Sequence, residues 1–159
     1  MVDSKAQPSS AAVAGAHLVL YDGVCGLCGR LLQFLLRHDR RRVFSFASLQ
    51  SAVGRSIVER SGGNPVELTS FYVVADYQTA AARVFSRSDA ALFVAGALGW
   101  PWRTGQLIRF VPQAIRDRAY DVVARSRYRV FGRYDRCLVP RPEFQSRFID
   151  GQAGDLRGS

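Results

Sequence analysis

The spacing of apolar and polar positions changes period several times along this chain, and each change marks an element. Leu18-Val19-Leu20-Tyr21 is a short continuous apolar run, the signature of a buried strand. From Gly26 the period becomes helical. Leu27, Leu31, Leu32, Phe34, Leu35 and Leu36 form a wide buried face, closed by the polar turn His38-Asp39-Arg40-Arg41-Arg42. Val43 to Ala47 alternates as a second strand. Ser48 is placed to cap a further helix through Leu49, Val53, Ile57 and Val58, which Ser61-Gly62-Gly63-Asn64-Pro65 stops. Phe71 to Ala75 reads as a third strand, Asp76 to Thr79 as a hairpin turn, and Ala82 to Phe85 as the returning strand. Ser88-Asp89 then caps an apolar helix, Ala90 to Leu98, which Gly99-Trp100-Pro101-Trp102 breaks. Leu107 to Val111 is a short apolar segment ending at Pro112. The last helix carries Ile115, Ala119, Val122 and Val123 on one face, expected to pack inward, and gives way near Gly132.

Strands that alternate with helices and end in a hairpin imply an α/β fold with a mixed sheet. The order strand, helix, strand, helix, strand, strand, helix is that of the thioredoxin fold. The helices after residue 88 would form a C-terminal extension packed on it. The expected division is a disordered lead over residues 1–15, a single domain over 16–148 and a flexible tail over 149–159.

The chemistry concentrates where the first strand meets the first helix, in Asp22-Gly23-Val24-Cys25-Gly26-Leu27-Cys28. Residues three apart share one side of a helical turn, so the two sulfurs can meet. Unpaired amides and the helix dipole favour a thiolate there, and a thiolate is the form that attacks disulfides. A Cys-x-x-Cys pair can also be half of a zinc site, or two small core residues. Zinc takes four protein ligands, or three plus water. The remaining candidates are Cys137, His17 and His38, without ligand-type spacing, so no metal is assigned and no cofactor is implied.

Bulk properties narrow the picture further. At 159 residues the chain can bury a real core. Residues 1–15 have no continuous apolar stretch of the signal-peptide kind, and Ala90 to Trp102 is too short and broken to span a bilayer. Three cysteines do not make a static disulfide framework, so the expected compartment is the cytoplasm. The net charge is +9, and Lys5 is the sole lysine. The arginines are spread from Arg30 to Arg157 without the Gly-aromatic pattern of an RNA-binding sheet, which disfavours nucleic acid as a partner. Trp100-Pro101-Trp102 and the Arg-rich last helix offer a peripheral membrane contact. The plainer expectation is core aromatics and solvated arginines.

The segment from Tyr21 to Cys28 resembles the signature of the DCC family of thiol–disulfide oxidoreductases. Phe46 to Ser51, Ser88 to Leu92, Ile115 to Asp121, Arg127 to Arg129 and Asp135 to Pro140 resemble its later blocks, in the right order over about residues 17–148. The resemblance implies a thioredoxin-like fold and redox activity on a disulfide-containing or dithiol protein or a small thiol. Within the site, Cys25 is expected to be the exposed, attacking thiol and Cys28 the resolving one, with Arg30 as the supporting cation. Asp22 either accepts a proton during exchange or organises the Asp-Gly turn, and as a nearby carboxylate would raise a thiol pKa. Gly23 is expected to supply a special backbone angle, Ser48, Gln50 and Asp89 to cap helices, and Cys137 to be a bystander. Thioredoxins place a cis-proline before the third strand, whereas Leu68-Thr69-Ser70 stands here. The alternative to an oxidoreductase is a binding module, with the cysteines holding a metal or the Arg-rich half docking an acidic partner.

Overall fold

The computed structural model describes residues 17–63, 71–77, 79–133 and 147–149. The lead, most of the tail, Pro65 and Cys137 lie outside them. Among the described residues, four strands form one sheet in the order β2-β1-β3-β4, with β1 His17–Tyr21, β2 Phe44–Ser48, β3 Tyr72–Ala75 and β4 Arg83–Ser86. β1 and β2 are parallel, β3 runs antiparallel to β1, and β4 antiparallel to β3. With α1 (Gly26–His38) crossing between β1 and β2, and α2 (Ala52–Arg60) between β2 and β3, this is a thioredoxin-like α/β fold. The chain continues through α3 (Arg87–Leu98), a 3-10 segment (Trp102–Phe110) and α4 (Gln113–Phe131).

β1 reads as unbroken apolar sequence because both of its faces are covered. Val19 and Tyr21 join Leu32, Leu35, Phe44, Phe46, Val73, Ala90 and Val94 in one core, under α1 and α3. Leu18 and Leu20 point the other way, into a smaller core with Ala47, Leu49 and Val58, under α2. Behind the first core, Asp39 is buried at the end of α1. It accepts the amides of Val43 and Phe44 at 3.1 and 3.0 Å and pairs with Arg147. Arg147 also donates to the Phe44 carbonyl, at 3.1 and 2.9 Å. Beside it, Phe148 bridges to Phe46, and the Ile149 amide donates to the Phe46 carbonyl at 3.0 Å.

Two helix starts differ from expectation. The cap of α2 is Ser51, whose hydroxyl accepts the Gly54 amide at 3.1 Å, while Ser48 closes β2 and is buried. α3 begins at Arg87 with Ser86 before it. Asp89 sits in its first turn and accepts from Arg116 of α4 at 3.1 Å. The larger difference is α4. Ile115, Ala119, Val122 and Val123 face outward, and the inward stripe is Asp117, Tyr120, Asp121, Ala124, Arg127, Tyr128 and Phe131. The reason is the polarity of what that stripe meets. Asp117 accepts the Ser88 hydroxyl, the Tyr120 hydroxyl accepts the Phe71 amide at 2.8 Å, and Arg127 and Tyr128 reach Asp22.

Candidate functional site

β1 ends at Tyr21, and its parallel neighbour β2 ends opposite at Ser48, so the two loops that follow lie side by side. The first carries Asp22 and Cys25, the second Gln50. Cys25 is the N-cap of α1 and Cys28 lies in its first turn. Both are free thiols. The amides of Leu27 and Cys28 donate to the Cys25 sulfur, as unsatisfied groups at a helix start can.

The Cys28 thiol also donates to Cys25, and this is the largest influence drawing the Cys25 pKa down, to about 6. Desolvation opposes it, and the positive charge of Arg127 assists. Cys28 moves the opposite way. Its bond to Cys25 and its burial both favour the protonated thiol. The pair thus shares one proton, with the thiolate on Cys25 and the proton on Cys28.

Asp22 is fully buried and both of its oxygens are engaged. Oδ1 takes the Val24 amide at 3.1 Å and the Gln50 side-chain amide at 2.8 Å. Oδ2 takes the Tyr128 hydroxyl and faces the Arg127 guanidinium at 3.5 Å. Burial and the bond to Asp22 push the Tyr128 phenol up to about 12, so it remains a donor. The turn role foreseen for Asp22 is present in the Val24 bond. Its charge is countered by Arg127, which removes the objection that a carboxylate would oppose a thiolate nearby.

Several expectations are corrected by the geometry. Cys25 has 0% of its surface exposed and Cys28 7%, so the first cysteine is the more enclosed. The end of α4 closes over it. Arg133 forms a β-bridge with Cys25, and the Gly26 amide donates to the Gly132 carbonyl at 3.2 Å. A Cβ on Gly26 would lie 2.1 Å from the Phe131 carbonyl oxygen, so this approach needs glycine. Arg30 is exposed and lies over the Phe131 ring, 5.4 Å from its centroid. The cation of the site is Arg127, one hundred residues further on. Gly23 is not in the left-handed region. Its amide instead donates to the Gln50 side chain at 3.3 Å. Gln50 therefore joins the site, and Ser48 supports it by accepting the Gln50 amide at 3.1 Å.

Arg127, Tyr128 and Gly26 were not singled out by sequence reasoning about the site. Arg127 and Tyr128 fall in the block from Arg127 to Arg129 that resembles the family, and Arg127 also carries a signal in its spacing. Tyr120, Ala124, Arg127 and Phe131 recur every three or four residues, a helix stripe as regular as the apolar one beside it.

Beside Cys28 lies a cavity of about 420 Å³ with an almost wholly apolar wall, including Leu31, Phe34, Phe71, Val94 and Trp102. Cys28 and Arg127 border it, and Cys25 does not. Among the described residues no group of three or more His, Cys, Asp and Glu is assembled. No described helix is long and apolar enough to cross a membrane.

Fold and site together define a thioredoxin-like protein with a Cys-x-x-Cys pair at the start of its first helix. The chain belongs to the DCC1-like thiol–disulfide oxidoreductase family, whose family model matches residues 19–133. It is 37% identical over 133 residues to the uncharacterized protein YuxK of Bacillus subtilis, covering 84% of this chain and 93% of that one. It is 35% identical over 121 residues to the DCC family protein At1g52590, chloroplastic, of Arabidopsis thaliana, covering 76% and 67%. No solved structure matches significantly.

Proposed function

We propose that Cys25 and Cys28 are the dithiol–disulfide couple of this oxidoreductase. The observation that carries the reading is the placement of two adjacent free thiols at the start of α1, Cys25 as its N-cap and Cys28 in its first turn, where helix amides favour a thiolate on Cys25. As a reductase, the Cys25 thiolate attacks a substrate disulfide, forms a mixed disulfide and expels the first substrate thiolate. Cys28 gives up its proton and attacks the Cys25 sulfur. This forms the Cys25–Cys28 bond and expels the second thiolate. Two electrons pass to the substrate, and its two thiolates take up two protons, one released by Cys28 and one from solvent. The oxidase direction is the reverse of each step.

In this proposal Asp22 is a positioning residue rather than the proton acceptor, because its oxygens are already engaged. It holds Arg127 and Gln50 in place, and its backbone amide donates to the Cys28 sulfur. Substrate meets the pair from the cavity beside Cys28, and reaching Cys25 requires the end of α4 to give way. The substrate class is a disulfide or dithiol on a protein or a small molecule.

Equilibration in glutathione buffers of graded potential, followed by mass spectrometry, tests the reading. The expected result is one two-electron transition, with a loss of two hydrogens confined to the peptide holding both cysteines. Intermolecular dimers as the sole oxidation product would overturn it. Metal analysis of freshly purified protein separates the couple from a Cys25–Cys28 metal site, since stoichiometric metal would occupy the same sulfurs.

A further inference from the structure

The exposed residues of the 3-10 segment and of α4, which follow one another along the chain, have a composition that the oxidoreductase reading does not use. Phe110 is 87% exposed and Trp100, just before the segment, 84%. Leu107, Ile108, Ile115 and Val122 are also exposed. On α4 the exposed stripe reads Ile115, Arg118, Val122, Arg125 and Arg129, at spacings of three and four residues. Arg103 and Arg109 are exposed on the 3-10 segment. Asp117 and Asp121 are the only acidic residues from 100 to 133. Both turn toward α3, Asp117 onto Ser88 and Asp121 to within 3.9 Å of Arg87. The exposed surface that these two consecutive segments offer is therefore apolar and cationic at once.

We propose that this face docks on the surface of an anionic lipid bilayer. Exposed aromatic and aliphatic side chains interleaved with arginine suit the boundary between headgroups and acyl chains. Apolar groups enter there while guanidinium groups pair with lipid phosphates. Charge complementarity disfavours a second copy. A two-fold interface brings the same patch of both chains together, and among the described residues from 100 to 133 the two carboxylates face α3 rather than the arginines of this patch. Nucleic acid would engage the arginines but give the exposed leucine, isoleucine and valine nothing to bury against. The overall charge of +9 adds to the attraction.

Sedimentation of the full chain with vesicles tests the proposal. One set is phosphatidylcholine alone, the other phosphatidylcholine mixed with phosphatidylglycerol. The protein should pellet with the anionic vesicles, be released by high salt, and show a blue shift of tryptophan emission that Trp100→Phe removes. Arg118→Ser and Arg125→Ser should each weaken binding about fivefold. Phe110→Ser should weaken it about tenfold or more. All three side chains are exposed, so the melting curves should not move. Equal binding by wild type and all three variants, or no binding to anionic vesicles, overturns the proposal. So does a wild-type dimer that Phe110→Ser dissociates, which would make a second copy the occupant. Binding to polyglutamate as tight as to anionic vesicles and indifferent to Phe110→Ser would point to an acidic protein instead. None of these outcomes depends on the redox state of Cys25 and Cys28.

Discussion

Removing Arg127 is the most informative perturbation of this site. At 3.5 Å from Asp22, the guanidinium contributes a Coulomb term of about 5 kcal/mol at an effective dielectric constant of about 20. Arg127→Met keeps much of the apolar stem but leaves a fully buried carboxylate without its counter-ion. The expected loss of stability is about 3–5 kcal/mol. In a chain of this size that is a fall of roughly 6–20 °C in Tm. Asp22→Asn removes the other charge of the pair and should also lower stability. The double variant Arg127→Met/Asp22→Asn removes both charges together, so its cost should be less than the sum by about 2–3 kcal/mol. Urea melts of the four proteins, reduced and at pH 7, measure that difference. A second readout separates electrostatics from packing. The pH midpoint for alkylation of Cys25 should rise from about 6 in Arg127→Met, while staying below the ordinary thiol value of about 8.5. It stays low because the Cys28 bond, the larger cause, survives. Costs that add within about 0.5 kcal/mol, with an unmoved Cys25 midpoint, would refute the pairing and its link to the thiolate.

Other outcomes follow from the same geometry. Gly26→Ala places a methyl group against the Phe131 carbonyl and should cost about 1–3 kcal/mol. It should also speed alkylation of Cys25 by lifting the end of α4, so slower or unchanged alkylation would count against the closure described. Because the folded-state pKa of Cys25 is depressed, the dithiol form should lose stability as pH falls from about 8.5 to about 6, by on the order of 3 kcal/mol. Above about 8.5 stability should fall again, since Cys28 resists ionising in the fold but not in the unfolded chain. Denaturant melts across that range, with Cys25→Ser abolishing the low-pH limb, check both signs. Truncation after Ser86 removes Ala90, Val94, Tyr120 and Arg127 from the first core and the site, and should leave an unstable fragment. A cooperative melt of that fragment would show the later helices to be an independent module. Cys137→Ala should leave cycling of Cys25 and Cys28 nearly unchanged, and a trapped mixed disulfide at Cys25 in that variant would bring Cys137 into the mechanism.

Local pattern was enough for every strand and for the placement of the cysteine pair. Leu18 to Tyr21 is apolar on both faces because a central strand is covered on both, and Asp22-Gly23 ends it wherever the rest of the chain goes. The position of Cys25 and Cys28 at a helix start, with the amides that stabilise a thiolate, is likewise a property of some ten consecutive residues. So is the α1 face that buries Leu32 and Leu35. Three features could be decided only by tertiary structure. The cation of the site lies one hundred residues from the thiols, and no local rule prefers Arg127 over Arg30. α4 turns a polar stripe inward, because a buried carboxylate at Asp22 and an unpaired amide at Phe71 need partners more than Ile115 and Val122 need burial. The same rotation exposes the apolar and arginine stripe on its other side. Exposure of Cys25 was decided the same way, since a helix start is open in isolation and closed here by Gly132 and Arg133 from the far end of α4. Periodicity reports which residues can share a face. Only the packed structure settles which of two regular faces turns inward, because that depends on the polar groups waiting on the other side.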